Sequence, residues 1–180
     1  MKQIYKRTIT SWSLYCFFLL VTSCPGEEDC FDIANIARVD DLITLLPEQT
    51  EYNQGDVVIL KLEIPATNSY FGDEINLYQE TEDNSAFLAL SFNQLFTENQ
   101  LNFIRGISAN SNSNNWFNVI YNENNDMYEL EIEITLNKSG AYSMITSDFI
   151  EFDGGDCNRY RLDTNVLWQG DAVVGFTVIE

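Results

Sequence analysis

The chain has no histidine, which removes the Ser-His-Asp and Cys-His arrangements of nucleophilic catalysis. Neither a phosphate-binding P-loop nor a dinucleotide fingerprint is present. The side chains left to do chemistry are carboxylates, cysteines and aromatics. Asp153-Gly154-Gly155-Asp156 sets two carboxylates around a glycine pair beside Cys157. Carboxylates spaced around glycines can wrap Ca²⁺, a cation that takes six to eight oxygens. The same residues are ordinary turn formers, and the spacing is not that of an EF-hand. Asp153 and Asp156 are thus a candidate metal pair that needs further ligands from elsewhere. The lack of histidine and the shortage of thiols argue against zinc. Glu129, Glu131 and Glu133 recur at every second position. Paired carboxylates hydrolyse glycosides, yet this regular alternation reads as the wet face of a strand. Trp116 follows the Asn-Ser run Asn110 to Asn115, and Trp168 precedes Gln169-Gly170-Asp171. A loop tryptophan among amides and carboxylates can stack on a sugar ring, whereas one beside a strand fills a core. Trp116 and Trp168 are the candidate ligand-binding residues. No catalytic set emerges, so the expectation is a protein that is not an enzyme, with no cofactor beyond candidate Ca²⁺.

Strands must position these groups. Between Asp56 and Ile64, the residues Val58, Leu60, Leu62 and Ile64 alternate with Lys61 and Glu63, the period of a half-buried strand. Pro65 ends it. From Met127 to Leu136, Tyr128, Leu130, Ile132, Ile134 and Leu136 share one face and the three glutamates the other. The turn Asn137-Lys138-Ser139-Gly140 then predicts an antiparallel hairpin with Ala141 to Phe152. Further predicted strands are Leu42–Leu46, Ile75–Gln79, Ala86–Phe92, Trp116–Tyr121 and Ala172–Ile179. Phe92, Leu95 and Phe96 have helical spacing, and Thr97-Glu98-Asn99-Gln100 matches a capping box, which predicts a short helix between 91 and 105. About seven or eight short strands predict an all-β fold, an antiparallel β-sandwich.

Two segments resemble immunoglobulin-like or fibronectin-like sandwiches. Tyr52-Asn53-Gln54-Gly55-Asp56 is similar to the Gly-Asp strand entry of bacterial extracellular modules. Leu136-Asn137-Lys138-Ser139-Gly140-Ala141-Tyr142 resembles the Gly-x-Tyr corner, in which the tyrosine hydroxyl bonds to nearby backbone. Met144 stands where a true immunoglobulin domain has its cysteine. The resemblance therefore implies architecture and no functional site.

Residues 1–23 carry Lys2, Lys6 and Arg7, no acidic residue, and the apolar run Leu14 to Val21. That is the layout of a secretory leader, with a run too short to span a bilayer. Val21-Thr22-Ser23-Cys24 resembles a bacterial lipobox. The resemblance implies lipid attachment at Cys24, cleavage before it, and anchoring to an outer membrane through acyl chains. An ordinary leader with a chance cysteine is the bland alternative. Pro25-Gly26-Glu27-Glu28-Asp29 resembles the surface-export signal of Bacteroidota-type lipoproteins, which implies cell-surface exposure; a plain solvated linker fits as well. The expected organisation is a leader over 1–23, an acidic tether over 24–31 and a single domain over 32–180. With Cys16 lost and Cys24 lipidated, Cys30 and Cys157 remain, and an oxidising compartment predicts their disulfide.

The mature chain holds 28 acidic residues and six basic ones, for a net charge of −22. Such a field repels phosphate backbones, so no nucleic-acid partner is expected. The functional expectation is a membrane-anchored, non-catalytic binding or assembly module, with a protein or a glycan as partner. The alternative is the glycan-binding component of a surface uptake system. An exposed aromatic shelf with Trp116 beside a second ring is the feature that favours that alternative.

Overall fold

In the computed structural model, the described residues are 35–110, 113–145, 147–155, 157–168 and 173–180. The leader, Cys24, the tether and Cys30 lie outside them. Two alternating segments carry the centre of the fold. Strand β4 (Val57–Pro65) pairs antiparallel with β11 (Met127–Thr135) over nine residue pairs, Val57↔Thr135 to Pro65↔Met127. Their alternation aims Val58, Leu60, Leu62 and Ile64 inward beside Ile134, Ile132, Leu130 and Tyr128, all buried. Each such aliphatic side chain contributes about 1.5–3 kcal/mol on burial.

In chain order the other strands are β1 (Asn35–Arg38), β2 (Ile43–Leu46), β3 (Glu51–Asn53), β5 (Thr67–Asn68), β6 (Ile75–Asn76), β7 (Ser85–Ala89), β8 (Gln100–Arg105), β9 (Ile107–Asn110), β10 (Ser113–Asn122), β12 (Gly140–Ile145), β13 (Asp148–Asp153), β14 (Arg159–Thr164), β15 (Val166–Leu167) and β16 (Val173–Ile179). Helix α1 is Leu77–Thr81 and helix α2 is Asn93–Thr97. The large sheet runs β1-β14-β13-β7-β10-β11-β4-β2-β15, with β8 also on β11 and β9 also on β10. A smaller sheet runs β12-β16-β3, and β5 pairs with β6. One hydrophobic core takes side chains from both main sheets.

The protein is all-β, as its alternation predicts. The topology departs from a purely antiparallel sandwich of seven or eight strands. The pairs β1·β14, β15·β2 and β16·β3 are parallel, and the described residues hold sixteen strands.

The predicted hairpin between Met127–Leu136 and Ala141–Phe152 does not form. Beyond Leu136 the chain passes to the smaller sheet, where β12 pairs with β16. It then returns as β13, which pairs with β14 and β7. Tyr142, Asp148, Ile150 and Phe152 are all buried and all even-numbered. Parity is conserved across the break, so one periodic pattern spans two strands in different sheets. Gly140 makes the transfer with φ +141, a region L side chains avoid. The tyrosine corner does form: Tyr142 Oη donates to Lys138 O at 3.0 Å. Asn99 braces it, donating to Leu95 O at 2.9 Å and accepting from Asn137 N at 2.8 Å.

The predicted strand Ile75–Gln79 stops at Asn76, whose Oδ1 accepts from Gln79 N at 2.9 Å and caps α1 instead. The predicted helix over 91–105 is only the five residues of α2, because Gln100 to Arg105 pair with β11 as β8. Thr97 ends α2 rather than capping a new helix.

Candidate binding face on the large sheet

Four neighbouring strands build one solvent-facing surface. In β7, Ala86 and Leu88 point into the core, so Ser85, Phe87 and Ala89 point out. In β10, Phe117 and Val119 are buried, which turns Trp116, Asn118 and Ile120 outward. In β13 the inward set Asp148, Ile150 and Phe152 leaves Phe149, Glu151 and Asp153 outside. In β14 the outward set is Arg159, Arg161 and Asp163.

Register decides what meets on that face. Trp116 and Phe149 both pair with Ala89, one from each side, and Phe87 lies between Asn118 and Glu151. Adjacent strands lie about 4.8 Å apart, so the backbones of Trp116 and Phe149 stand about 10 Å apart across the small Ala89. The result is an aromatic cluster beside Ala89, in which Phe87 stands between Trp116 and Phe149. Phe87 meets Trp116 edge-on, with centroids 5.6 Å apart and planes at 72°, and lies 6.3 Å from Phe149. Trp116 is 40% exposed.

The rim is polar and charged. The Arg161 guanidinium lies 4.1 Å above the centre of the Phe149 ring, a cation–π contact. Arg161 Nε donates to Asp163 Oδ1 at 2.7 Å, and Nη1 stands 3.6 Å from Glu151. Arg159 is bidentate on Asp153, at 2.6 and 3.0 Å. That pair holds the Asp153 carboxyl below its usual range. A groove of about 370 Å³ runs from Phe87 and Glu151 to Ser85, Asp83, Asp153 and Arg159.

Trp116 therefore stands beside a second ring, the arrangement named above for the glycan alternative. Trp168 is only 3% exposed and packs 5.9 Å from Phe176, so it is a core residue and not part of this face. Asp153 is engaged by Arg159, and Asp156 lies outside the described residues. Among the described residues no cluster of three His, Cys, Asp or Glu side chains is placed to hold a metal ion. Cys157 is not a free thiol; its predicted partner, Cys30, lies outside the described residues.

The three glutamates of β11 do not share one wet face. Glu129 is buried, ion-paired with Arg105, and accepts from Asn122 and Asn125 at 2.8 Å each. Desolvation pushes its pKa up, but the amide donors and Arg105 outweigh that and hold it below the usual carboxylate range. The cover comes from the turn after β10 and from the end of β8, which local periodicity cannot reveal.

Phe87, Phe149, Glu151 and Arg161 were not singled out from sequence. Ala86-Phe87-Leu88-Ala89-Leu90 is apolar at both parities, which marks a strand that carries apolar side chains on both faces. That was the available signal for Phe87.

Asp148 is a buried titratable group away from this face. Ser91 N and Oγ each donate to its Oδ1 at 2.7 Å. Its Oδ2 and Thr164 Oγ1, on the paired position of β14, have no hydrogen-bond partner among the described residues. Burial pushes the Asp148 pKa up, against the two Ser91 donors. A carboxyl raised above its unfolded value supports the fold below that value, and the support fades as pH rises through the folded pKa. Asp148→Asn removes the buried charge, keeps an acceptor for Ser91 and gives Thr164 a donor. It is expected to raise the melting temperature at pH 7 by a few degrees, on the order of 1 kcal/mol, with no gain near pH 3. Thermal melts across that pH range check the sign.

No family model and no curated protein matches the sequence. Among solved structures, the chain is similar to AggA, the major subunit of aggregative adherence fimbriae type I from Escherichia coli. The match has a TM-score of 0.32 and 11% identity, and covers 69% of this chain and 93% of that one. A likeness at that level carries no conclusion about fold family or function.

Proposed function

We propose that the chain is a lipid-anchored, non-catalytic binding module held outside a bacterial outer membrane through Cys24, and that its ligand is a glycan bound on the Trp116 face. The observation that carries the reading is the aromatic cluster of Trp116, Phe87 and Phe149 on the outer face of the sheet, with Trp116 exposed. Sugar rings have apolar C–H faces that pack on aromatic faces, while their hydroxyls need directed polar partners. Glu151, Arg161, Asn118 and Ser85 supply such partners around the rings. The lipobox-like Val21-Thr22-Ser23-Cys24 supports the anchor, and the acidic residues behind it support surface display. A Cys30–Cys157 disulfide would tie the tether end of the domain to the β13–β14 turn. The Tyr142 corner supports an immunoglobulin-like ancestry for the sheets.

An assembly role with a protein partner is the second reading. It is favoured by Ile36 and Ile107, 60% and 55% exposed, on the strands that border the same face.

A glycan array probed with the purified mature domain tests the first reading. At least one glycan is expected to be retained. Trp116→Ala is expected to weaken it at least tenfold, about 1.4 kcal/mol, with melting shifted by no more than about 2 °C because the side chain is exposed. Ala89→Leu, which adds bulk between Trp116 and Phe149 without removing a ring, is expected to weaken binding as well. An array with no retained glycan, or one unchanged by both variants, overturns the reading.

A further inference from the structure

We infer that the Trp116 face selects uncharged glycans over acidic or amino-bearing ones. This rests on the glycan reading above and adds the ligand's charge class. The aromatic rings alone do not decide that class, but the charged groups around them do. Four guanidinium groups stand on this side of the sheet, and each is already paired, Arg105 with Glu129. Arg38 meets Asp40 at 3.0 Å. Arg159 holds Asp153 through two hydrogen bonds. Arg161 holds Asp163, faces Glu151 and covers Phe149. A sugar carboxylate or sulfate would have to displace a resident carboxylate to reach any of them. It would also approach against the field of a mature chain of net charge −22.

The same pairing disfavours a cationic sugar. Asp153 and Asp163 have their guanidinium partners at 3.0 Å or less, and Glu151 faces Arg161 at 3.6 Å. An ammonium would gain one attraction by weakening another. Each guanidinium instead presents fixed N–H groups beside carboxylate lone pairs, an arrangement that suits hydroxyl groups.

Binding to such a face has little Coulombic attraction to screen, so it should respond weakly to salt. Calorimetric titrations of the mature domain with cellohexaose, maltohexaose and mannohexaose as neutral probes test this. Tetragalacturonate serves as the anionic probe and a glucosamine hexamer as the cationic one. Each is run at about 20 mM and about 300 mM NaCl, a range over which the screening length falls several-fold. At least one neutral probe is expected to bind, with Kd changing less than about twofold between the two salts. Both charged probes are expected to bind at least tenfold more weakly at low salt. A charged probe that binds best through Trp116, or a neutral one whose Kd moves several-fold with salt, overturns the charge assignment and leaves the glycan face standing. If no probe binds, the glycan reading falls and takes this inference with it.

Discussion

Replacing Phe176 by alanine is expected to cost about 4 kcal/mol of stability, within the 3–5 kcal/mol range for truncating a buried phenylalanine. Phe176 is 4% exposed at the middle of β16. It stacks on Tyr142 with centroids 4.9 Å apart and planes at 13°. Tyr52 meets it edge-on at 5.1 Å, Trp168 lies at 5.9 Å and Phe92 at 6.4 Å. These four rings come from β3, β12, the entry to α2 and the segment after β15. One side chain therefore ties the smaller sheet to the helix and to the edge of the large sheet. Its removal leaves a void lined by rigid rings that cannot collapse into it, which is the condition for a cost near the top of the range. For a domain of this size the melting temperature should fall by roughly 8–16 °C. Urea unfolding with an unchanged slope would place the loss in the folded state. A loss below about 1.5 kcal/mol would mean that the two sheets are not joined through this cluster.

The second large effect is expected at Gly106, where the large sheet branches. Before it, β8 pairs with β11; after it, β9 pairs with β10. Gly106 has φ +83, and a Cβ there would collide with Leu130 Cδ1 and stand 2.7 Å from Asn118 O. Leu130 is buried and Asn118 O is backbone in a paired strand, so neither yields readily. Gly106→Ala adds left-handed strain of about 1–2 kcal/mol to overpacking of about 1–3 kcal/mol. The expected total is about 3 kcal/mol, read by chemical denaturation. Hydrogen exchange should show the loosening at β9 and at the β10 residues it borders, with β4 and β2 protected as before. Uniform loosening of the whole sheet would contradict the branch assignment.

The parts of this fold that the sequence announces are those where one strand has one wet face. Val57–Pro65 is such a strand, and its limits were nearly readable from alternation. The short strands β1, β3, β5 and β15 carry too few residues for a period to register, and β1, β3 and β15 pair parallel to distant partners. The Tyr142 corner was legible because its chemistry is local, four residues from hydroxyl to carbonyl. The break between β12 and β13 was not, since the even-numbered inward set runs through it. At the candidate site, Trp116 could be named from its polar flank. Its companions could not, because Phe87 and Phe149 reach it only through the pairing of β7 with β10 and β13. Trp168 had a similar polar flank and lies in the core, which shows how little a flanking sequence says about a side chain's side of the sheet.

Residues 24–180 hold two tryptophans, Trp116 and Trp168, so a nitrogen-proton correlation spectrum of that segment should contain two indole signals. Titrating the labelled domain with a glycan retained on the array separates them. Movement of the Trp116 indole signal, with Trp168 unmoved, is the expected result. If the Trp116 signal stays in place while ligand binds, the outer face of β7, β10 and β13 is not where this protein meets its ligand.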